Sequence, residues 1–441
     1  MTRLLITSMY YEPDETGIGP YTTRLAEHLA HRGYDVTAVT GMPHYPSWRV
    51  AEAYRGKMTV REVRNGVRLL RRRHYVPSKH GALHRAAYEA TFFASALTAL
   101  RLPRPHAVLG VVPALSGGVL ARVAARKFDV PYGLVFQDMT AEAARQSGVP
   151  GGGRVAGVVR LAEAWAAQRA SAIGIVAEGF RPCLEAMGVE PSRIRRVRNW
   201  TRTAPVTMHR DDVRARFAWD DAAARRTVVL HAGNMGAKQG LETVIEAARI
   251  AQGNAPGLLF VLMGDGSQRA ALEAMTNRYA LENVRFLPLQ PDAMLPNILA
   301  AADVLLVNQR GSVRDMALPS KLTAYFAAGR PVVAAVAEDS ETAREINWSS
   351  GGILAQPDDP RALLAAIERG ACDPGLQAHL SRSARDWSDT VLSEATALRS
   401  YEQLVASVLR SAGRGRVHAL GRIMRPVERA SQEGSDQRWA A

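Results

Sequence analysis

The 441-residue sequence contains only two cysteines, Cys183 and Cys372, and they lie far apart in the chain. This content excludes a disulfide framework and favours a reducing, cytoplasmic location. The sequence also lacks any run of about 18 uncharged apolar residues, so we expect no segment that spans a membrane. Its first residues lead from a short apolar run into a turn without a small-residue cleavage site, so we expect no signal peptide.

Acidic residues are scarce relative to basic ones, with 42 Asp and Glu against 56 Lys and Arg and a net charge of +14. This imbalance favours an anionic partner such as nucleic acid, an anionic membrane surface or a phosphorylated ligand. The aromatic residues are not interleaved with the basic ones, and no zinc-binding spacing occurs. We therefore expect no nucleic acid partner.

Apolar, strand-like runs alternate with amphipathic helical segments along most of the chain, a pattern typical of α/β folds with parallel sheets. The charged, strand-poor segment 201–226 interrupts this pattern and predicts a linker between two Rossmann-like, doubly wound domains, 1–200 and 227–385. A C-terminal helix at 386–410 is predicted to cross back to the first domain, followed by a loosely ordered basic tail at 411–441. Ligands of such folds bind beyond the carboxyl ends of the strands, so we predict a cleft between the domains.

Three loops of the second half favour a diphosphate or nucleotide ligand. The stretches "AGNMGAKQG" and "MGDGS" each follow a predicted strand, and their glycines allow backbone N–H groups to approach an anion. The third, "LPSKL", places Ser320 and Lys321 at a helix start, where Pro319 suits the first turn. The alternative is that all three are ordinary tight turns with solvated lysines.

The first half offers candidate acceptor contacts. Gly17 and Gly19 lie between the first strand and the first helix and are predicted to line the cleft; Thr22 breaks the dinucleotide fingerprint, which disfavours nicotinamide. In "VFQDMTAE", Asp138 and Glu142 follow a predicted strand and are predicted to orient an acceptor hydroxyl. Asp138 could instead cap the next helix. His44 also follows a strand end and is predicted to face the acceptor, with an ordinary surface histidine as the alternative.

The ordered stretches "TGIGPYTTRLAEHLAHRGYDVTAVTG", "RIRRVRNW", "GNMGAKQGLE", "MGDG", "FLPLQP" and "LPSKLTAYFAAGRPVVA" carry a family resemblance that extends to about residue 405. The chain resembles a family 4 glycosyltransferase of the two-domain GT-B type. It is most similar to the branch that builds bacterial exopolysaccharide and O-antigen, including colanic-acid-type enzymes. The resemblance implies a retaining, metal-independent transfer of a sugar from a nucleotide diphosphate sugar to a lipid-linked saccharide. This transfer would take place at the cytoplasmic membrane face, with no cofactor beyond that co-substrate.

The resemblance also implies residue roles. Lys321 would stabilise the leaving diphosphate, and Asp138 would act with it in catalysis. The predicted donor site comprises Gly233, Asn234, Gly236, Lys238, Gln239, Gly264, Gly266, Leu318, Ser320 and Lys321.

Four positions depart from the family pattern. Met316 and Ala324 replace two glutamates, and Asn234 and Gln239 replace an arginine and a lysine. These departures leave two alternatives open: an inactive GT-B subunit that binds a nucleotide sugar, and a GT-B sugar-nucleotide epimerase.

A basic run precedes an uncharged apolar segment, Ala90–Leu100, and could hold the first domain on an anionic membrane. The alternative is a core helix next to a solvated basic strand. The basic residues of this interpretation are Arg71, Arg72, Arg73, Lys79 and Arg85.

Overall fold

The first domain contains an eight-stranded sheet in the order β3-β4-β2-β1-β5-β6-β7-β8, parallel throughout except for β3, which runs antiparallel to β4. The computed structural model describes residues 1–14, 17–78, 81–141, 152–220, 225–313 and 320–423. The strands are β1 (Arg3–Thr7), β2 (Asp35–Gly41), β3 (Thr59–Arg64), β4 (Val67–Arg72), β5 (Ala107–Val112), β6 (Tyr132–Phe136), β7 (Ala172–Ile175) and β8 (Ile194–Arg196). The helices are α1 (Gly19–His31), α2 (Ala82–Thr98), α3 (Leu115–Phe128), α4 (Gly152–Ala167) and α5 (Arg181–Ala186).

The second domain contains a parallel six-stranded sheet in the order β11-β10-β9-β12-β13-β14. Its strands are β9 (Thr227–Ala232), β10 (Leu258–Met263), β11 (Val284–Leu287), β12 (Val304–Asn308), β13 (Val332–Ala335) and β14 (Gly352–Ala355). The helices that follow α5 are α6 (Arg210–Arg216), α7 (Glu242–Asn254), α8 (Arg269–Arg278), α9 (Leu295–Ala301), α10 (Ser320–Ala328), α11 (Glu341–Ser349), α12 (Pro360–Cys372), α13 (Pro374–Thr390) and α14 (Glu394–Ile423).

The two sheets confirm the predicted pair of doubly wound domains. The strand order reverses between β1 and β5 in the first sheet and between β9 and β12 in the second. Strands such as β5 and β10 are buried at every position, because helices cover both faces of each sheet. At each reversal the following loops diverge and leave a crevice at the carboxyl ends of the strands, which is where ligands of this fold class bind.

The predicted linker is shorter than the sequence suggested, because much of it packs on the second domain. The side-chain oxygen of Asn297 accepts the N–H groups of Thr207 (2.7 Å) and Met208 (2.9 Å). Arg214 of α6 is fully buried and forms ion pairs with Asp220 and with Asp303, the latter at 3.1 Å. Several of the charges that made this segment resemble a solvated linker are therefore paired within the domain.

The C-terminal region contains two helices, α13 and α14, where the sequence predicted one helix at 386–410. Leu404, Val405 and Val408 of α14 join the core beneath β1, β5 and β6, so the chain returns to the first domain. The helix continues to Ile423, past the end at residue 410 that the sequence predicted. Residues 424–441 lie outside the described part of the chain.

The proposed membrane segment is partly buried. Arg71 is fully buried and donates to Glu62 Oε1 at 2.6 Å and to the Glu12 carbonyl. The interfacial interpretation is therefore wrong for Arg71. Helix α2 buries one face, with Phe92 and Ala96, and exposes Ala90 and Ala94 on another, so its contact with a membrane stays a prediction. Lys79 lies outside the described residues. Of the helices that the structure describes, none has the length and apolar character needed to cross a bilayer.

Candidate active site

The loops after β9 and β10 pack against each other through their backbones. Gly233 N–H donates to Met263 O at 2.8 Å, and Met235 N–H donates to Asp265 O at 2.8 Å. Gly264 has a φ of +146°, and a Cβ there would overlap the carbonyl oxygen of Gly233. A Cβ on Gly266 would lie 2.6 Å from Asn234 Oδ1. Both glycines are therefore needed for loop-to-loop packing, and their predicted contacts with the donor stay a prediction.

Two side chains, one within the loop after β9 and one beside it, stabilise the shape of that loop. Gln239 Oε1 accepts the N–H of Gly236 at 3.1 Å, so this side chain closes its own loop. Asn308, fully buried at the end of β12, donates through Nδ2 to Gln239 O (2.7 Å) and Gly240 O (2.9 Å). Sequence analysis missed Asn308. Its position as a polar residue at the end of an apolar strand could have indicated it.

Lys321 lies in the first turn of α10, directly after Ser320, the first residue of that helix. Its Nζ is 3.7 Å from the position that a Cβ on Gly233 would take, so the helix start and the first glycine loop adjoin. One turn further on, the hydroxyl of the buried Tyr325 accepts the N–H of Ala232 at 2.8 Å and ties α10 to the end of β9. The cation therefore adds to the partial positive charge of a helix N-terminus. Leu318 lies outside the described residues.

His231 is fully buried on β9 beside this helix start. Burial, together with the charge of Lys321, holds the pKa of His231 well below its ordinary value. The imidazole is therefore neutral, and the positive charge of this region remains on Lys321. Sequence analysis missed His231, because a histidine inside a strand gives no signal of its neighbours.

Asp138, half-buried after β6, faces the second domain. Burial raises the pKa of its carboxyl, whereas the charges of Lys238 and Arg85 lower it. Because Lys238 belongs to the loop after β9, the carboxylate and this ammonium group interact across the cleft between the domains. Asp138 Oδ1 accepts the N–H of Met139 at 2.8 Å.

Glu163 of α4 holds the loop that carries Asp138. It is 1% exposed, and its Oε1 accepts the N–H groups of Thr140 (2.8 Å) and Ala141 (3.4 Å). If Asp138 were the N-cap of the next helix, its side chain would accept these same N–H groups. Burial raises the pKa of Glu163 to about 7, and the charge of Asp138 acts in the same direction. Sequence reasoning missed Glu163, which resembles a solvated helical glutamate, and Glu142 lies outside the described residues.

The loop after β1 is organised by Asp14, whose Oδ1 accepts the N–H groups of His44 (2.8 Å) and Tyr45 (2.9 Å). Gly19 is buried, and a Cβ there would lie 2.9 Å from Asp14 O, so its lack of a side chain serves packing. Gly17 is exposed, and a Cβ there would contact the Tyr45 ring at 3.4 Å. Of the two glycines predicted to line the cleft, Gly17 alone lies on the surface.

His44 does not face an acceptor, and that prediction is wrong. Its ring is 2% exposed, with Nδ1 2.8 Å from Met42 O and Nε2 2.7 Å from the Tyr88 hydroxyl. Burial lowers the pKa of His44, so the ring is a neutral member of an aromatic cluster with Tyr10 and Tyr88. The alternative, an ordinary surface histidine, is wrong for the same reason.

Two facing Rossmann-like domains, with a cationic helix start on one and a carboxylate opposite, define a GT-B glycosyltransferase architecture. Residues 16–200 match the family model "Glycosyl transferase 4-like domain", and residues 226–373 match "Glycosyl transferases group 1". The chain is 31% identical over 407 residues to WcaI of Escherichia coli (strain K12), described as a colanic acid biosynthesis glycosyl transferase, with 90% of this chain and 98% of that protein covered. The chain therefore belongs to the glycosyltransferase family that combines a glycosyl transferase 4-like domain with a glycosyl transferases group 1 domain.

Solved structures support the same fold. Anabaena Alr3699/HepE in complex with UDP superposes with a TM-score of 0.64 at 16% identity, covering 92% of this chain and all of the other. WaaG, a glycosyltransferase involved in lipopolysaccharide biosynthesis, has a TM-score of 0.57 at 17% identity over 90% of this chain and 98% of its own. At these identities the likeness confirms the predicted GT-B fold.

Proposed function

We propose that this protein is a retaining glycosyltransferase that moves a sugar from a nucleotide diphosphate sugar to a lipid-linked saccharide in exopolysaccharide or O-antigen synthesis. The relative WcaI is described as acting in colanic acid biosynthesis, and HepE was crystallised with UDP and with UDP-glucose. The nucleotide sugar is a co-substrate, and the proposal includes no further cofactor and no metal.

The observation that carries the proposal is the position of Lys321. A leaving nucleoside diphosphate develops negative charge, which preorganised cations and helix N-termini stabilise. Lys321 supplies such a cation at the start of α10 and beside Gly233, and Lys238 supplies a second on the neighbouring loop. In the proposed reaction these groups perform the role that a metal ion has in other transferases.

Asp138 is proposed to orient the acceptor hydroxyl from the opposite wall. A carboxylate there accepts a hydrogen bond from a hydroxyl next to the reacting one on the acceptor sugar. The reacting hydroxyl gives its proton to a donor phosphate oxygen as the new glycosidic bond forms and the bond between the donor sugar and the diphosphate breaks. Glu163 positions the Asp138 loop without touching the substrates, because its carboxylate is engaged by Thr140 and Ala141.

A screen of UDP-, GDP-, ADP- and dTDP-sugars by thermal stabilisation would identify the donor, since a ligand that binds the folded state raises the melting temperature. Release of the free nucleoside diphosphate is then measured with an extract of lipid-linked saccharides. Lys321→Met should reduce turnover by about a hundredfold or more, as loss of one preorganised electrostatic group does.

The matched control is Lys127→Met, at the far end of α3, where Nζ contacts Leu100 O at 2.8 Å; its turnover should be unchanged. Equal turnover of Lys321→Met and the native protein would overturn the assignment. The alternative of a nucleotide-sugar-binding subunit is favoured by Ala324, which provides no carboxylate on α10. Donor binding without nucleotide release from any acceptor would support that alternative.

The protein is further proposed to bind the inner membrane face peripherally, through α4. Val158, Leu161 and Trp165 are spaced i, i+3 and i+7 on α4 and are 69%, 72% and 41% exposed. Arg160 is exposed on the same helix, and the Arg122 guanidinium lies 4.0 Å from the centre of the Trp165 ring. An exposed apolar stripe bordered by arginines fits an anionic lipid surface.

A further inference from the structure

A cavity of about 800 Å³ opens in the first domain where β2 and β4 end, on the ligand-binding edge of the sheet. The segment that follows β2 forms one side, and the segment that follows β4 forms the other. The predicted acceptor residues do not line it, and nothing in the proposed transfer reaction so far uses it.

The described charged side chains that line this cavity are all positive. Four basic side chains line it, and none of the described lining residues is an Asp or Glu; the four are Arg49, Arg55, Lys57 and Arg73. All four are exposed, and the described residues place no carboxylate within ion-pair distance of any of them. Exposed arginines elsewhere in the domain do pair, as Arg24 does with Glu394 and Arg68 with Asp35. Four uncompensated cations around one space therefore form a site that favours an anion.

The lining also includes aromatic residues and one buried polar atom without a partner in the described part of the chain. The aromatic residues are Trp48, Tyr54 and Tyr75. His74 is 7% exposed; its Nδ1 lies 3.3 Å from the Arg72 carbonyl, and its Nε2 has no hydrogen-bond partner among the described residues. Because Nδ1 donates to that carbonyl, Nε2 retains its lone pair as an acceptor. Rings and an acceptor beside cations are groups that recognise a sugar attached to an anion.

Contacts connect the cavity to the loop after β1. Trp48 packs edge-to-face on Tyr45 with 5.9 Å between ring centres, and a Cβ on Gly17 would contact that Tyr45 ring at 3.4 Å. The exposed loop after β1 and the cationic cavity are thus the two sides of one aromatic cluster. A molecule that reached from the cavity across Trp48 and Tyr45 would arrive beside Gly17, which is predicted to line the cleft.

We propose that this cavity binds the diphosphate that joins the acceptor saccharide to its lipid, an inference that rests on the proposed function. A diphosphate presents two anionic groups to four cations, whereas a single sugar carboxylate would leave most of that charge uncompensated. The guanidinium groups of Arg49, Arg55 and Arg73 offer the planar donor arrays that match phosphate oxygens. Trp48 and Tyr75 then contact the sugar next to the diphosphate, and the rest of the saccharide leads into the cleft.

The test uses geranyl diphosphate as a probe and geraniol as its uncharged counterpart, with binding measured by titration calorimetry. A saturating nucleoside diphosphate occupies the donor site. The native protein should bind geranyl diphosphate and not geraniol. The Arg55→Ala/Arg73→Ala double variant should bind it about 25-fold more weakly, because each cation near an anion contributes about fivefold. Arg101→Ala, an exposed arginine of the same domain outside the cavity, is the matched control and should bind as the native protein does.

Equal binding by the native protein and the double variant would overturn the proposal. A second arm measures sedimentation with phosphatidylglycerol vesicles, since a phospholipid headgroup offers the same phosphate chemistry. If the double variant loses vesicle binding but retains geranyl diphosphate, the cavity is a headgroup site and the acceptor assignment is wrong.

A third arm separates this inference from the proposed function. With an active donor and acceptor pair, the double variant should raise the KM for a diphosphate-linked acceptor about 25-fold and leave kcat and the donor KM unchanged. If no transfer occurs with any pair, the proposed function fails, whereas the calorimetric result for the cavity still stands or falls by itself.

Discussion

Glu163→Gln tests whether a buried, titrating carboxyl group controls the loop that carries Asp138. Glu163 is 1% exposed, and its pKa is raised from 4.5 to about 7, chiefly because burial disfavours the charged form. The folded state therefore binds this proton more tightly than the unfolded state. Between these two pKa values the unfolded state holds fewer protons, so the free energy of unfolding decreases as pH rises from about 4.5 to about 7.

The size of this effect follows from the shift. One pKa unit corresponds to about 1.4 kcal/mol, so the rise from 4.5 to about 7 gives roughly 3 kcal/mol in full. Between about pH 5 and about pH 8 the native protein should lose about 2 to 3 kcal/mol of stability through this group. Glutamine does not titrate, and its Oε1 can still accept from Thr140, so the variant should lack this part of the pH dependence.

The measurement is denaturant unfolding at both pH values, and the quantity compared is the change in unfolding free energy between them. Any pH-independent effect of the buried amide cancels in that difference. Glu185→Gln, on an exposed glutamate of the same domain, is the control and should change with pH as the native protein does. If Glu163→Gln retains the native pH dependence, the argument from burial is refuted. Glu163→Ala leaves the N–H groups of Thr140 and Ala141 without this acceptor, so turnover should also decrease.

Two further predictions concern the glycine loops and the membrane face. Gly264→Ala should destabilise the second domain by several kcal/mol or prevent folding, because the new Cβ would overlap Gly233 O; Gly253→Ala, with open space around it, should be neutral or slightly stabilising in the same unfolding experiment. Leu161→Asp should reduce sedimentation with anionic vesicles without lowering the melting temperature, because this side chain is 72% exposed, and unchanged sedimentation would rule out α4 as the membrane face.

The sequence predicted the architecture well because it depends on local, repeated patterns. Alternating apolar runs and amphipathic segments identified both Rossmann-like domains, and the order of the motifs identified the GT-B family. Lys321 was predicted beside a phosphate loop, and the structure places it next to Gly233. Helix extent was less predictable: α14 continues to Ile423 in a stretch whose composition suggested a loosely ordered tail.

What the sequence by itself determined is therefore the succession of strands, helices and glycine loops, since each follows from residues that are neighbours in the chain. Only the tertiary structure decided which polar residues are buried and which segments they form hydrogen bonds with. Asn308 reaches a loop 68 positions away, Glu163 reaches one 23 positions away, and His44 is enclosed by aromatic rings instead of facing a ligand. A polar side chain is retained inside a protein where hydrogen-bond partners compensate for lost hydration, and those partners come from distant segments that only folding brings together.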